Sequence, residues 1–161
     1  MGGQHIVDDR SRSGLDISTG ILTGMIGGGV FGVVLHTLGE ITVVSYLVGT
    51  RAEPLAWILL LVIGILGAIT YYLTIRRFVL LEFLAAEPRT GAALGLAFGI
   101  LLWFAAIIIV PVWIVFYGIT STIPYVHIPS LVGLVVYGMI VGGLTPLIAK
   151  HIDSEKKKVS G

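Results

Sequence analysis

The sequence contains no cysteine. Disulfides, cysteine-ligated zinc, iron–sulfur clusters and thiol catalysis are therefore excluded. It is also poor in charge. Asp, Glu, Lys and Arg make up 12% of its 161 residues, against about 25% in a soluble domain. No charged side chain occurs at residues 17–39, 54–75 or 90–149. Hydrophobic residues make up 56%, and a short chain has too much surface for its volume to hide that share behind a water-facing shell. Lipid removes the difficulty. The net charge of +1 gives no support to a nucleic-acid partner.

A membrane span needs about 20 apolar residues, so the last uncharged stretch holds two spans and a turn. The sequence thus predicts an all-α polytopic four-helix bundle. A tail over 1–16 precedes a transmembrane domain over 17–149, with spans at about 17–38, 55–75, 91–116 and 130–149. A basic tail follows over 150–161, expected to be unstructured from Ser154 to Gly161. Asp8, Asp9 and Asp16 precede the first apolar run, which is long and lacks a small-residue cleavage pattern, so it reads as a retained span. Pro54, Pro88 and Pro129 each stand just before a span, where a missing N–H is harmless. Pro111 is expected to kink the third or to mark its irregular outer part. Arg76 to Glu87 reads as an interfacial extension of the second.

Positive charge sets orientation. Arg10, Arg12, Arg76, Arg77, Arg89, Lys150, Lys156, Lys157 and Lys158 fall on one side and only Arg51 on the other. Both termini are therefore expected in the cytoplasm, with the chain in the plasma (inner) membrane. Trp57, Tyr117 and Tyr125 then mark the outer interface, and Tyr71 and Tyr72 the inner one.

Glycine is abundant, at 22 residues, and it is patterned. Gly20, Gly24, Gly28 and Gly32 recur every fourth residue in the first span. Gly91, Gly95 and Gly99 do so in the third, and Gly138 and Gly142 in the fourth. In lipid no hydrophobic force draws helices together, and such rows let backbones approach closely. These nine glycines are the expected helix-packing residues, with the first and third spans either meeting each other or driving self-association. Thr19-Gly20 and Thr90-Gly91 open matching motifs 71 residues apart, and the same offset carries Gly67 to Gly138. This suggests a parallel 2+2 internal repeat. Gly27-Gly28-Gly29 is no phosphate loop, since no strand precedes it and no Lys-Ser or Lys-Thr follows.

Few polar residues are placed to do chemistry. His36 and Glu40 continue the four-residue step of the first span, so they are expected to pair. His127 and Glu53 fall on the same outer side. Polar capping of a helix end, proton handling, and metal or haem ligation through His36, Glu40 and His127 all remain open, although no H-x-x-x-H or E-x-x-H spacing occurs. Tyr137 is expected to fill space beside Gly133 and Gly138. No carboxylate or lysine lies in a span to couple an ion, and no nucleophilic triad is formed. The sequence points away from an enzyme and requires no cofactor.

The segments Thr90-Gly91-Ala-Ala-Leu-Gly95-Leu-Ala-Phe-Gly99 and Gly133-Leu-Val-Val-Tyr137-Gly138-Met-Ile-Val-Gly142 resemble a loose group of small archaeal and bacterial four-helix membrane proteins of unknown function. The resemblance implies the topology and no activity. The expectation is a non-enzymatic accessory or scaffold subunit, its partners being the bilayer and a second copy or another membrane protein. An oligomeric transporter or channel, and a metal- or haem-binding electron-transfer subunit, are the alternatives.

Overall fold

A computed structural model describes residues 3–116 and 126–159, with only the helical backbone for 3–16, 153 and 155–159. The expected interface residues Tyr117 and Tyr125 lie outside the described residues. The described chain is helical, without strands. It runs α1 (Gly3–Thr37), α2 (Thr42–Tyr46), α3 (Glu53–Arg77), α4 (Val79–Ala85), α5 (Pro88–Val115) and α6 (Ile128–Val159). Four segments are long and apolar enough to cross a membrane: Ile17–Thr37, Glu53–Arg77, Pro88–Val115 and Ile128–Ile152. This is the architecture of a multi-pass membrane protein.

The helix ends follow local chemistry. Pro54 and Pro88 sit in the first turns of α3 and α5, where their missing N–H costs nothing. α1 stops at Gly39, whose φ of +74° is open to glycine at little steric cost. Around it the Glu40 N–H donates to the Leu35 carbonyl at 2.8 Å and the Gly39 N–H to the His36 carbonyl at 3.0 Å. This pair of bonds is the Schellman closure of a helix. It recurs at Gly49, φ +73°, where the Thr50 and Gly49 N–H groups donate to the carbonyls of Ser45 and Tyr46. The short helix α2 between these two stops was not expected.

Two further features differ from the sequence-based expectation. The segment after Arg76 does not simply extend the second span. Phe78 turns extended at φ −124°, ψ 113°, and α4 follows as a separate helix. The tail from Ser154 is not unstructured, because α6 continues as backbone helix to Val159. α5 runs through Pro111 to Val115 in one helical segment.

Contacts join α1 to α3, α1 to α6 and α5 to α6. α1 is therefore held on two sides. The apolar window of α1 is 44% buried inside the molecule, that of α5 only 11%. Leu101, Ile108 and Ile109 of α5 are exposed, as side chains facing hydrocarbon can be at no cost.

Candidate functional site

The glycine rows touch backbone. A Cβ on Gly24 would stand 2.5 Å from the Ile65 Cα and 2.7 Å from the Gly64 carbonyl oxygen, and one on Gly28 would stand 2.6 Å from the Leu60 carbonyl oxygen. The facing row of α3 is Ala56, Leu60, Gly64 and Ala68, all buried. On the other side of the molecule a Cβ on Gly95 would overlap the Gly138 carbonyl, one on Gly99 the Leu134 carbonyl, and one on Gly91 would lie 2.5 Å from the Gly142 carbonyl oxygen. The first and third spans do not turn these rows toward each other. Each row faces the span that follows it in the chain, because the two short connections bring those neighbours together antiparallel.

The pairing also revises the repeat. Gly24 and Gly28 correspond to Gly95 and Gly99 at the 71-residue offset, but their partners Leu60 and Gly64 correspond to Leu134 and Gly138 at 74. Gly64, not Gly67, holds the place of Gly138. Gly67 instead faces Tyr137, whose hydroxyl would be 2.6 Å from a Cβ there. The second helix of each pair is displaced by almost one turn, which a search at one offset cannot register.

Two buried tyrosines tie helices together. The Tyr137 hydroxyl donates to the Gly64 carbonyl at 2.7 Å, linking α6 to α3. The Tyr71 hydroxyl donates to the Gly91 carbonyl at 3.1 Å, linking α3 to α5. The Tyr137 side chain reaches beyond its own helix. Its ring fills the space over Gly27 of α1, tilted against Phe31 at 6.5 Å, because its side chain crosses to the neighbouring helices. Tyr71 is buried inside the molecule. It is 3% exposed and packs on Phe98 at 5.2 Å, while Tyr72 lies beneath the Arg76 guanidinium. The other buried hydroxyls bond within their helices: Thr23 to the Thr19 carbonyl, Thr145 to the Val141 carbonyl and Ser45 to the Thr42 carbonyl. Among the described residues no buried side-chain nitrogen or oxygen lacks a partner.

The histidines meet carboxylates, in a different pairing from that expected. His36 Nδ1 lies 3.0 Å from Glu53 Oε1, and His127 Nε2 lies 3.6 Å from Glu40 Oε2. His36 and Glu40 do not pair, because α1 closes at Gly39 and Glu40 stands beyond the last helical turn. The result is two bridges between segments, His36 of α1 to the start of α3 and Glu40 to the start of α6. Glu53 Oε1 also accepts from the Trp57 Nε1–H at 3.5 Å, and the Trp57 ring covers Gly32.

His127 has a second task. It precedes the first residue of α6, and its Nδ1 accepts the Ser130 N–H at 3.2 Å, with the Ser130 hydroxyl at 2.6 Å. An imidazole nitrogen thus performs the N-cap work usually given to Ser, Asp or Asn. In the neutral ring this acceptor role leaves the proton on Nε2, directed at Glu40. The Trp103 Nε1–H donates to the His127 carbonyl at 3.2 Å, and the Trp113 Nε1–H to the Leu47 carbonyl at 2.6 Å. Two α5 tryptophans therefore clamp the same end of the molecule.

His36 and His127 each meet a different carboxylate, and no group of three His, Cys, Asp or Glu side chains among the described residues is placed to hold a metal ion. The arrangement can join helix ends and exchange a proton with water. No protein-family model, no curated protein and no solved structure matches this chain.

Proposed function

We propose that this protein is a non-enzymatic scaffold of the plasma membrane, a four-helix bundle with both termini in the cytoplasm that serves as an accessory subunit to a membrane partner. The observation that carries this reading is how the polar groups of the spans are used. Thr23, Tyr71, Tyr137 and Thr145 all donate to helix carbonyls. Among the described residues no buried polar side-chain atom lacks a hydrogen-bond partner. The absence of charge from residues 17–39, 54–75 and 90–149 supports the same reading. The glycine rows are taken up within the chain, so the surface available to a partner is the exposed side of α5 rather than a glycine face. The excess of Lys and Arg on one side supports the orientation.

A sequence without cysteine permits a direct test. Single cysteines at Thr50 and Ser154 have no native background. Thr50→Cys should react with an impermeant maleimide on intact cells, and Ser154→Cys only after permeabilisation. The reverse pattern refutes the orientation. Extraction in mild detergent should recover the chain with another membrane protein in fixed ratio. A homo-oligomer that carries ion flux in vesicles refutes the scaffold reading.

A further inference from the structure

α3 carries a stripe that is largely exposed. Ile63, Leu66, Gly67, Thr70, Leu73, Thr74 and Arg77 fall at helical spacing along one side. At its middle a cavity of about 190 Å³ opens between α3 and α5. Its floor is formed by Phe31, Gly64 and Tyr137, and its rim by Leu66 and Leu102. A second, shallower hollow lies further along α3 between Thr70, Thr74, Arg77 and Phe78. Thr70 lines both, so the two form one groove.

We propose that this groove is a binding site for a single anionic phospholipid, with an acyl chain in the cavity over Tyr137 and the phosphate at Arg77. Three observations identify this occupant. The walls are apolar, and the Thr70 and Thr74 hydroxyls donate to the carbonyls of Leu66 and Thr70 at 2.8 Å each, so they ask nothing of a hydrocarbon chain. The distance from Ile63 to Thr74 is about 16 Å at 1.5 Å per residue, which matches one leaflet of a hydrocarbon core about 30 Å thick. The groove ends at a cation: Arg77 is exposed, no carboxylate among the described residues pairs with it, and a guanidinium takes a phosphate through two parallel hydrogen bonds.

The test uses the full-length protein reconstituted in vesicles of equal phosphatidylglycerol and phosphatidylcholine, then released for native mass spectrometry. The wild type should retain one lipid, with phosphatidylglycerol favoured about fivefold, the preference expected for one basic side chain at an anionic surface. Arg77→Gln should bring the ratio to about one without changing the thermal midpoint in detergent. Thr70→Phe, at the junction of the two hollows, should reduce retention of both lipids. Lys150→Gln, a cation of α6 outside the groove, should leave the ratio unchanged. The proposal is overturned by equal retention of the two lipids in the wild type, by a preference that survives Arg77→Gln, by one that Lys150→Gln also abolishes, or by full retention in Thr70→Phe.

Discussion

Single side chains set the helix ends and joins of this molecule, and they give the most separable predictions. His127 holds both an N-cap and a bridge to Glu40. His127→Ala removes both and is expected to destabilise the protein by about 1 kcal/mol, the usual cost of a lost cap. His127→Asn retains a capping oxygen and loses only the pairing with Glu40, so it should recover most of that loss. Thermal unfolding in one detergent compares the two; equal destabilisation would remove the capping argument. His36 bonds Glu53 between two exposed side chains, and exposed pairs contribute at most about 1 kcal/mol. His36→Ala should therefore be close to silent. Tyr137→Phe keeps the ring over Gly27 and removes the bond to Gly64. Interhelical hydrogen bonds in lipid average about 0.6 kcal/mol, and a loss of that order in the same assay is expected.

The site was partly legible at this scale. His36, Glu40, Glu53 and His127 were grouped from their place in the chain, and all four take part in the two bridges. Their pairing was not legible, because an i, i+4 relation holds only while the helix continues, and Gly39 ends it one residue before Glu40. The capping role of His127 was missed for a different reason. The residues that announce an N-cap are Ser, Thr, Asp and Asn, and an imidazole gives no such signal.

At the scale of elements, glycines that look equivalent in the sequence meet different surroundings. Gly29 has open space where a Cβ would go, whereas Gly95 would place one on the Gly138 backbone. Gly29→Ala should be neutral or stabilising, since Ala is favoured over Gly in a helix interior by about 1 kcal/mol. Gly95→Ala should already be destabilising and Gly95→Leu more so, because a backbone carbonyl cannot swing aside as a side chain can. The midpoint of unfolding, read with the monodispersity of the purified variants, ranks the three. A tolerated Gly95→Leu would mean that α5 and α6 do not approach as described. The spans themselves were plain in the sequence, since gaps in charge mark lipid. α2 and the break at Phe78 were not, because five residues are too few for a period and an extended residue between two helical segments needs neither Gly nor Pro.

At the scale of the whole molecule, two helix pairs are joined mainly through α1 and α6. Phe31 occupies the space over Gly133, and Tyr137 that over Gly27. Gly27→Leu with Gly133→Leu should separate the pairs while leaving each intact. Limited trypsin cleavage near Arg76 and Arg77, beside the break at Phe78, offers a readout. The two wild-type fragments should stay together on a sizing column in detergent, and those of the double variant should part. Fragments that remain associated in the double variant would show that other contacts hold the pairs.

The order of synthesis gives the position of α6 a further meaning. α1 leaves the ribosome before α6, and the surface around Gly27 and Phe31 is covered only when α6 arrives. Until then α5 also lacks its partner, and its row of Gly91, Gly95 and Gly99 lies bare to lipid. A chain stopped short of residue 128 thus leaves two helix faces unfilled, one on α1 and one on α5. α6 serves as the closing latch of these helices, and the half-life of chains truncated before it, set against that of chains that carry it, measures how firmly the latch holds.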